Sequence, residues 1–186
     1  MKQGLVLIDL QNDYFKGGKF ELYKPEEAAV QAVKILDYFR KQCLPIFHIQ
    51  HINVKPNPVF FAPDTEGANI YKAVAPLQNE VRVVKHYPDS FLQTNLQQEL
   101  EAQGVTELVV CGMMSHMCID TTVRSAVAKG YGVTLIENAC TARALEWEGK
   151  MLPAQNVHNV FMAALASGFA KVMKADEWLS NYKKAH

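Results

Sequence analysis

Residues 105–129 read VTELVVCGMMSHMCIDTTVRSAVAK. The first eight, ending at Gly112, form an apolar, β-branched run of strand length, and from about Met117 the composition becomes helix-forming. A strand that feeds straight into a helix is half of a β–α–β unit, and the rest of the chain repeats the alternation. Apolar runs at 4–10, 44–52, 80–86 and 132–139 read as further strands, with a short sixth at 170–175. Pro25 and two glutamates open an amphipathic helix over 25–43. Helix-forming composition also fills 92–103, 154–168 and 176–184. Nearly all-apolar strands alternating with helices imply a parallel sheet covered on both faces. The expected fold is therefore α/β: a three-layer α/β/α, doubly wound, mainly parallel sheet of about six strands.

The 186 residues suit one domain, 1–186, large enough to bury roughly 70% of its unfolded surface. Apolar residues make up 49% and charged residues 20%, and 19 basic residues balance 19 acidic ones, so no net field favours nucleic acid or a membrane surface. The opening MKQGLVLIDL is too short for a signal segment and meets Asp9, and no run of about 18 apolar residues occurs. Cys43, Cys111, Cys118 and Cys140 lack metal or disulfide spacing, which fits free thiols in a reducing cytoplasm. The segment 53–79 holds Pro56, Pro58, Pro63 and Pro76 with little periodicity and reads as a long ordered loop, usually a functional feature in a compact domain.

An open parallel sheet binds ligands beyond the carboxyl ends of its strands. Those ends carry Asp9, His51 and Asn53, Lys85 and His86, Gly112 through Cys118, and Asn138. An acid, a lysine and a cysteine thus share one edge. Cys118 in the first turn of a helix would meet free N–H groups and the positive end of the macrodipole, which lower a thiol's pKa towards thiolate. A buried structural cysteine is the alternative reading, and it suits Cys111 inside the strand better. Asp9 is either a turn residue or a general base beside the sulfur. Lys85 either snorkels to solvent or offsets the carboxylate's charge. Asp13, in the following glycine-bearing loop, reads as structural. Specificity candidates around the edge are Gln11, Phe15, His51, Asn53, Phe60, Phe61, Tyr87, Phe91, Ser115 and His116. His116 either touches substrate or caps the helix. The Phe60–Phe61 pair is a lid, an intersubunit contact or ordinary loop packing.

Four stretches together resemble the isochorismatase-like cysteine hydrolases over nearly the whole chain: LVLIDLQNDYFKGG, VVKHYPDSFLQTNL, LVVCGMMSHMCIDTTVRSAVAKGYGVTLIENACTA and VHNVFMAALASGFAKV. That superfamily includes nicotinamidases, N-carbamoylsarcosine amidases, ureidoacrylate hydrolases and isochorismatase. The resemblance implies an Asp9, Lys85, Cys118 triad, a cis peptide at Met113–Met114, and an oxyanion hole from the backbone N–H groups of Met114 and Cys118. It also implies a small-molecule substrate and a homodimer or higher homo-oligomer. Nicotinamidases bind metal through an Asp-x-His pair. The matching positions here are His51 and Asn53, so no metal or other cofactor is expected. An intact Cys118 points to acyl chemistry on an amide, carbamoyl or ureido C–N bond. The competing readings are a metal-dependent nicotinamidase-type amidase, a catalytically inactive binding module and, more distantly, a flavodoxin-like nucleotide binder without a phosphate loop.

Overall fold

The computed structural model describes residues 1–183. In chain order the elements are β1 (Gln3–Ile8), α1 (Pro25–Lys41), β2 (Ile46–His51), β3 (Val81–Lys85), α2 (Leu96–Ala102), β4 (Glu107–Met113) and α3 (Asp120–Ala128). They continue with β5 (Gly132–Thr141), β6 (Leu145–Trp147), β7 (Lys150–Leu152), α4 (Ala154–Ala166), β8 (Lys171–Met173) and α5 (Ala175–Lys183). Six strands form one parallel sheet in the order β3-β2-β1-β4-β5-β8. The chain winds outward from β1 to β3, crosses back through α2 to β4 on the other side of β1, and winds outward again. The order therefore reverses between β1 and β4, the crevice where such sheets bind ligands.

Burial explains why these strands lack alternation. Leu5, Val6, Leu7 and Ile8 of β1, and Leu108 through Met113 of β4, are buried at every successive position, so helices cover both faces. Helix α1 packs with α5 and α3 packs with α4, and both pairs reach β5. Edge strand β3 is half-buried and does alternate. Gly112 lets β1 and β4 meet at their carboxyl ends: its φ is +134°, and a Cβ there would stand 2.0 Å from the Ile8 carbonyl oxygen.

The expected strands are present with their ends shifted, and other expectations need revision. Helix α2 starts at Leu96 rather than 92, because Thr94 spends its hydroxyl on the Ser90 carbonyl (2.6 Å) and its Oγ1 on the Leu96 N–H (3.3 Å), a local turn that competes with helix. Strand β5 runs on to Thr141 through a register shift opposite Val110 and Gly112. The last helix matches the expectation to Lys183, and position 184 lies outside the described residues. The β6–β7 hairpin was not expected. It turns on Glu148 and Gly149, both at positive φ as a two-residue hairpin requires. The LEWEGKML pattern around this turn was its available signal.

The 53–79 segment is ordered and folds over the carboxyl edge. Ile70 bridges to Gln11, Asn12 N–H donates to the Asn69 carbonyl, and Tyr71 N–H donates to the Leu10 carbonyl. Among the described residues no helix is long and apolar enough to cross a membrane.

Candidate active site

Three elements bring Asp9, Lys85 and Cys118, the expected triad, together. Asp9 is the first residue beyond β1, at φ +51° and with no exposed surface, its N–H held by the Ile49 carbonyl (3.1 Å). Aspartate tolerates positive φ better than most residues. Lys85 ends β3, two strands away, and its long side chain crosses the end of β2 to place Nζ 2.9 Å from Asp9 Oδ2. Cys118 belongs to the five-residue π-helical turn Ser115–Ile119 that leads into α3 and is 5% exposed. Its thiol lies within hydrogen-bonding range of both Asp9 and Lys85. Ile119 N–H reaches back five residues to the Met114 carbonyl (3.2 Å), so the helical path starts two residues earlier than the sequence suggests. The Met113–Met114 peptide is cis, at the position the resemblance implies.

Electrostatics here correct one expectation. Burial pushes the Cys118 thiol well up, and the Asp9 charge adds to that; Lys85 opposes it without prevailing. Removing the sulfur from water outweighs the helix-terminus effect invoked from sequence, so the resting group is a thiol. For Lys85 the balance runs the other way. Burial works against its charge, but Asp9 and Cys118 more than offset it, and its pKa is raised. The resting site is therefore carboxylate, ammonium and thiol. Among the described residues no backbone N–H reaches the Asp9 carboxyl oxygens.

His51 joins this group. Its Nδ1 is 3.2 Å from Lys85 Nζ, and its ligating atom lies within 4.8 Å of those of Asp9 and Cys118. Burial drops its pKa to about 4, so it is a neutral imidazole at physiological pH. Asp9, His51 and Cys118 have the chemistry of a metal-ligand set, but the Lys85 ammonium already pairs with all three. A divalent cation would have to share that space with a buried positive charge, so these residues do not fit a metal. Asn53 turns away: its Oδ1 accepts from the Lys55 N–H and its own N–H serves the Phe61 carbonyl.

The other candidates fare unequally. Gln11 is fully buried, and its amide clamps the His51 backbone and the Ala68 carbonyl, so it positions the β2 end and has no group left for a ligand. Phe15 is buried against Tyr71, ring centroids 3.7 Å apart. Phe91 stacks on Tyr131, which precedes β5 and so lies at the opposite edge of the sheet; it is not brought to the site. Tyr87 is exposed and offers its carbonyl to Lys85 (3.0 Å). Ser115 Oγ is 2.7 Å from His158 Nδ1. His116 is half-buried with its ring 6.0 Å from Phe161. Phe61 is fully buried against Tyr14, which is the loop-packing reading of that pair.

Sequence reasoning passed over Tyr14. It is buried, and burial together with the nearby Cys118, Asp9 and Asp13 pushes its pKa well up, which keeps the phenol protonated beside the triad. Its place in QNDYF, five residues after Asp9, was the available signal.

The Isochorismatase domain profile matches residues 3–177. The chain is 50% identical, over 96% of its length and 99% of the relative's, to the uncharacterized isochorismatase family protein YddQ of Bacillus subtilis (strain 168). It is 30% identical to a streptothricin hydrolase of Streptomyces noursei, over 94% of this chain and 60% of that one. A crystal structure from Oleispira antarctica, assigned as an isochorismatase hydrolase, superposes with a TM-score of 0.93 at 40% identity, covering 96% of each chain. Profile match, relatives and fold agree: the chain belongs to the isochorismatase family of hydrolases.

Proposed function

We propose that this protein is a cysteine hydrolase that cleaves a C–N bond of a small amide, carbamoyl or ureido compound through a Cys118 thioester. The observation that carries the reading is the convergence of Asp9, Lys85 and Cys118 from β1, β3 and the turn after β4 into one buried, hydrogen-bonded group. A relative named for such chemistry, nicotinamidase 3 of Arabidopsis thaliana, is 26% identical over 93% of this chain and 85% of that one.

Because Cys118 rests as a thiol, attack requires a base, and the Asp9 carboxylate lies within reach of the thiol proton. Asp9 takes that proton as sulfur attacks the substrate carbonyl, and Lys85 keeps the pair charge-balanced. The backbone N–H groups of Met114 and Cys118 hold the oxyanion. The C–N bond breaks as Asp9 returns the proton to the departing nitrogen. Water, deprotonated by Asp9, then cleaves the thioester to release the acid and regenerate the thiol. His51, neutral and accepting from Lys85 at Nδ1, carries its proton on Nε2 and adds a hydrogen-bond donor to the same group.

Replacing Cys118 with alanine removes the nucleophile and leaves Asp9 and Lys85 paired. Turnover of any amide the wild type accepts should fall at least about a thousandfold, with the melting temperature little changed. Retained turnover in Cys118→Ala, measured as ammonia release, would contradict the mechanism.

A further inference from the structure

Helix α4 contributes no side chain to the mechanism, yet it grips the turn that carries the nucleophile. His158 and Phe161 stand three residues apart on α4, on one face of the helix. They meet two consecutive residues of the turn. Ser115 Oγ is 2.7 Å from His158 Nδ1, and the His116 ring is 6.0 Å from that of Phe161. Ser115 opens the turn and is fully buried, so its hydroxyl is held inside the protein and does not face a substrate. Sequence reasoning placed it among the substrate contacts and passed over His158.

Polar support for this turn is otherwise scant. Neither the turn nor α3 behind it has a side-chain cap at its start. Met117 is exposed and His116 Nδ1 has no partner. The Met114 carbonyl takes the Met117 and Ile119 N–H groups, which are contacts internal to the turn. Setting aside the thiol itself, Ser115–His158 is the one side-chain hydrogen bond among the described residues that ties 114–119 to another element. Met114 and Cys118, whose N–H groups are assigned to the oxyanion, stand one residue before Ser115 and three after it. Where Ser115 is held therefore decides where those donors and the sulfur point. Burial lowers the His158 pKa against the opposing charge of Glu137, so the ring is neutral at physiological pH. A neutral ring offers one N–H and one lone pair, and a hydroxyl can donate or accept, so the pair forms with either tautomer.

We propose that Ser115 and His158 are positioning residues for the reaction: their hydrogen bond holds the turn so that the Cys118 thiol meets Asp9 and the Met114 and Cys118 N–H groups meet the oxyanion. This rests on the hydrolase reading above and deepens it, because the nucleophile is then supported by a fourth element, α4.

Asparagine and glutamine separate positioning from packing. His158→Asn keeps an amide atom near the place of Nδ1 and so a partner for Ser115, whereas His158→Gln reaches towards the place of Nε2 and leaves the hydroxyl alone. These two, Ser115→Ala and His158→Leu are compared with the parent, all in a Cys43→Ser background and well below their melting temperatures. Ammonia release from a panel of amides and ureides gives kcat and KM, and iodoacetamide gives the rate of Cys118 alkylation. Ser115→Ala, His158→Gln and His158→Leu should lose about 10- to 100-fold in kcat with KM little changed, and should slow alkylation as well. His158→Asn should stay within about threefold of the parent on both. Ser115→Ala combined with His158→Leu should lose no more than either alone, the mark of one shared contact. Ser115→Ala and His158→Gln carry the comparison where His158→Leu does not fold. A merely structural pair would lower the melting temperature and leave both rates unmoved. That result, or a His158→Asn variant no better than His158→Gln, overturns the proposal and spares the hydrolase. Alkylation that follows the series in a parent that turns over no amide overturns the hydrolase reading and spares the positioning. Alkylation indifferent to the series in such a parent overturns both.

Discussion

At the residue scale, four cysteines of one chemical type have different fates set by their surroundings. Cys43 is exposed at positive φ after α1, Cys111 is sealed within β4, and Cys140 lies at the bulged end of β5. Burial raises the Cys111 thiol well above its ordinary value and pushes Cys140 up to about 12. Cys118 is raised too, but it has a carboxylate at hand to receive its proton. This predicts a selective alkylation pattern. With the exposed Cys43 removed as Cys43→Ser, iodoacetamide at neutral pH should label Cys118 ahead of Cys111 and Cys140. Asp9→Asn should slow that labelling by more than about tenfold. Peptide mass analysis reads the outcome, and equal labelling with and without Asp9 would remove its role as base.

At the element scale, the site depends on two close approaches that no side chain larger than hydrogen can make. In β4, Gly112 combines its positive φ with contact against β1. A Gly112→Ala substitution should cost on the order of 1–3 kcal/mol from the backbone conformation alone, with further loss from parting the strands that carry Asp9 and Cys118. In the covering loop, a Cβ on Gly67 would lie 2.1 Å from Asp13 Oδ1. Asp13 staples the loops through the Phe61 N–H (2.7 Å) and the Lys19 N–H (3.1 Å), and Phe61 itself sits at φ +55°. Gly67→Ala should release this staple and expose the triad, lowering both melting temperature and turnover. Gly17→Ala is the control for crowding, because a Cβ there would meet nothing within 4 Å. Calorimetry of the variants checks the order: Gly112→Ala and Gly67→Ala both well below Gly17→Ala.

At the scale of the whole molecule, the histidines set the acid limit. Burial lowers the pKa of His48, His51, His116 and His158, with His51 at about 4. The unfolded chain takes up protons near the ordinary histidine value of about 6.5, whereas the folded chain resists them. Stability from these groups is therefore complete above about 6.5 and is lost as pH falls towards 4. Glu80 extends the loss. Burial opposes its charge, but Arg40, the Leu77 N–H and His48 hold its pKa down to about 2, so its contribution fades from the usual carboxylate range downward. The melting temperature should drop steadily from pH 6.5 to 4 and remain level between 7 and 8. A flat profile below 6.5 would show that these rings are protonated in the fold.

The sequence by itself determined the class of fold and the candidates for the reacting groups. Strand and helix periods are local properties, and in a parallel sheet the residue after each strand must lie at the binding edge, which made Asp9, Lys85 and Cys118 legible one by one. The strand order, the resting state of the thiol and the company of the triad were settled only by tertiary structure. Burial and partner distance depend on residues far apart in the chain, such as His51 beside Lys85, Tyr14 beside Cys118 and His158 beside Ser115. The same reason moved Phe91 to the opposite edge and turned Gln11 from a ligand contact into a clamp: no local pattern records which neighbour a side chain will meet.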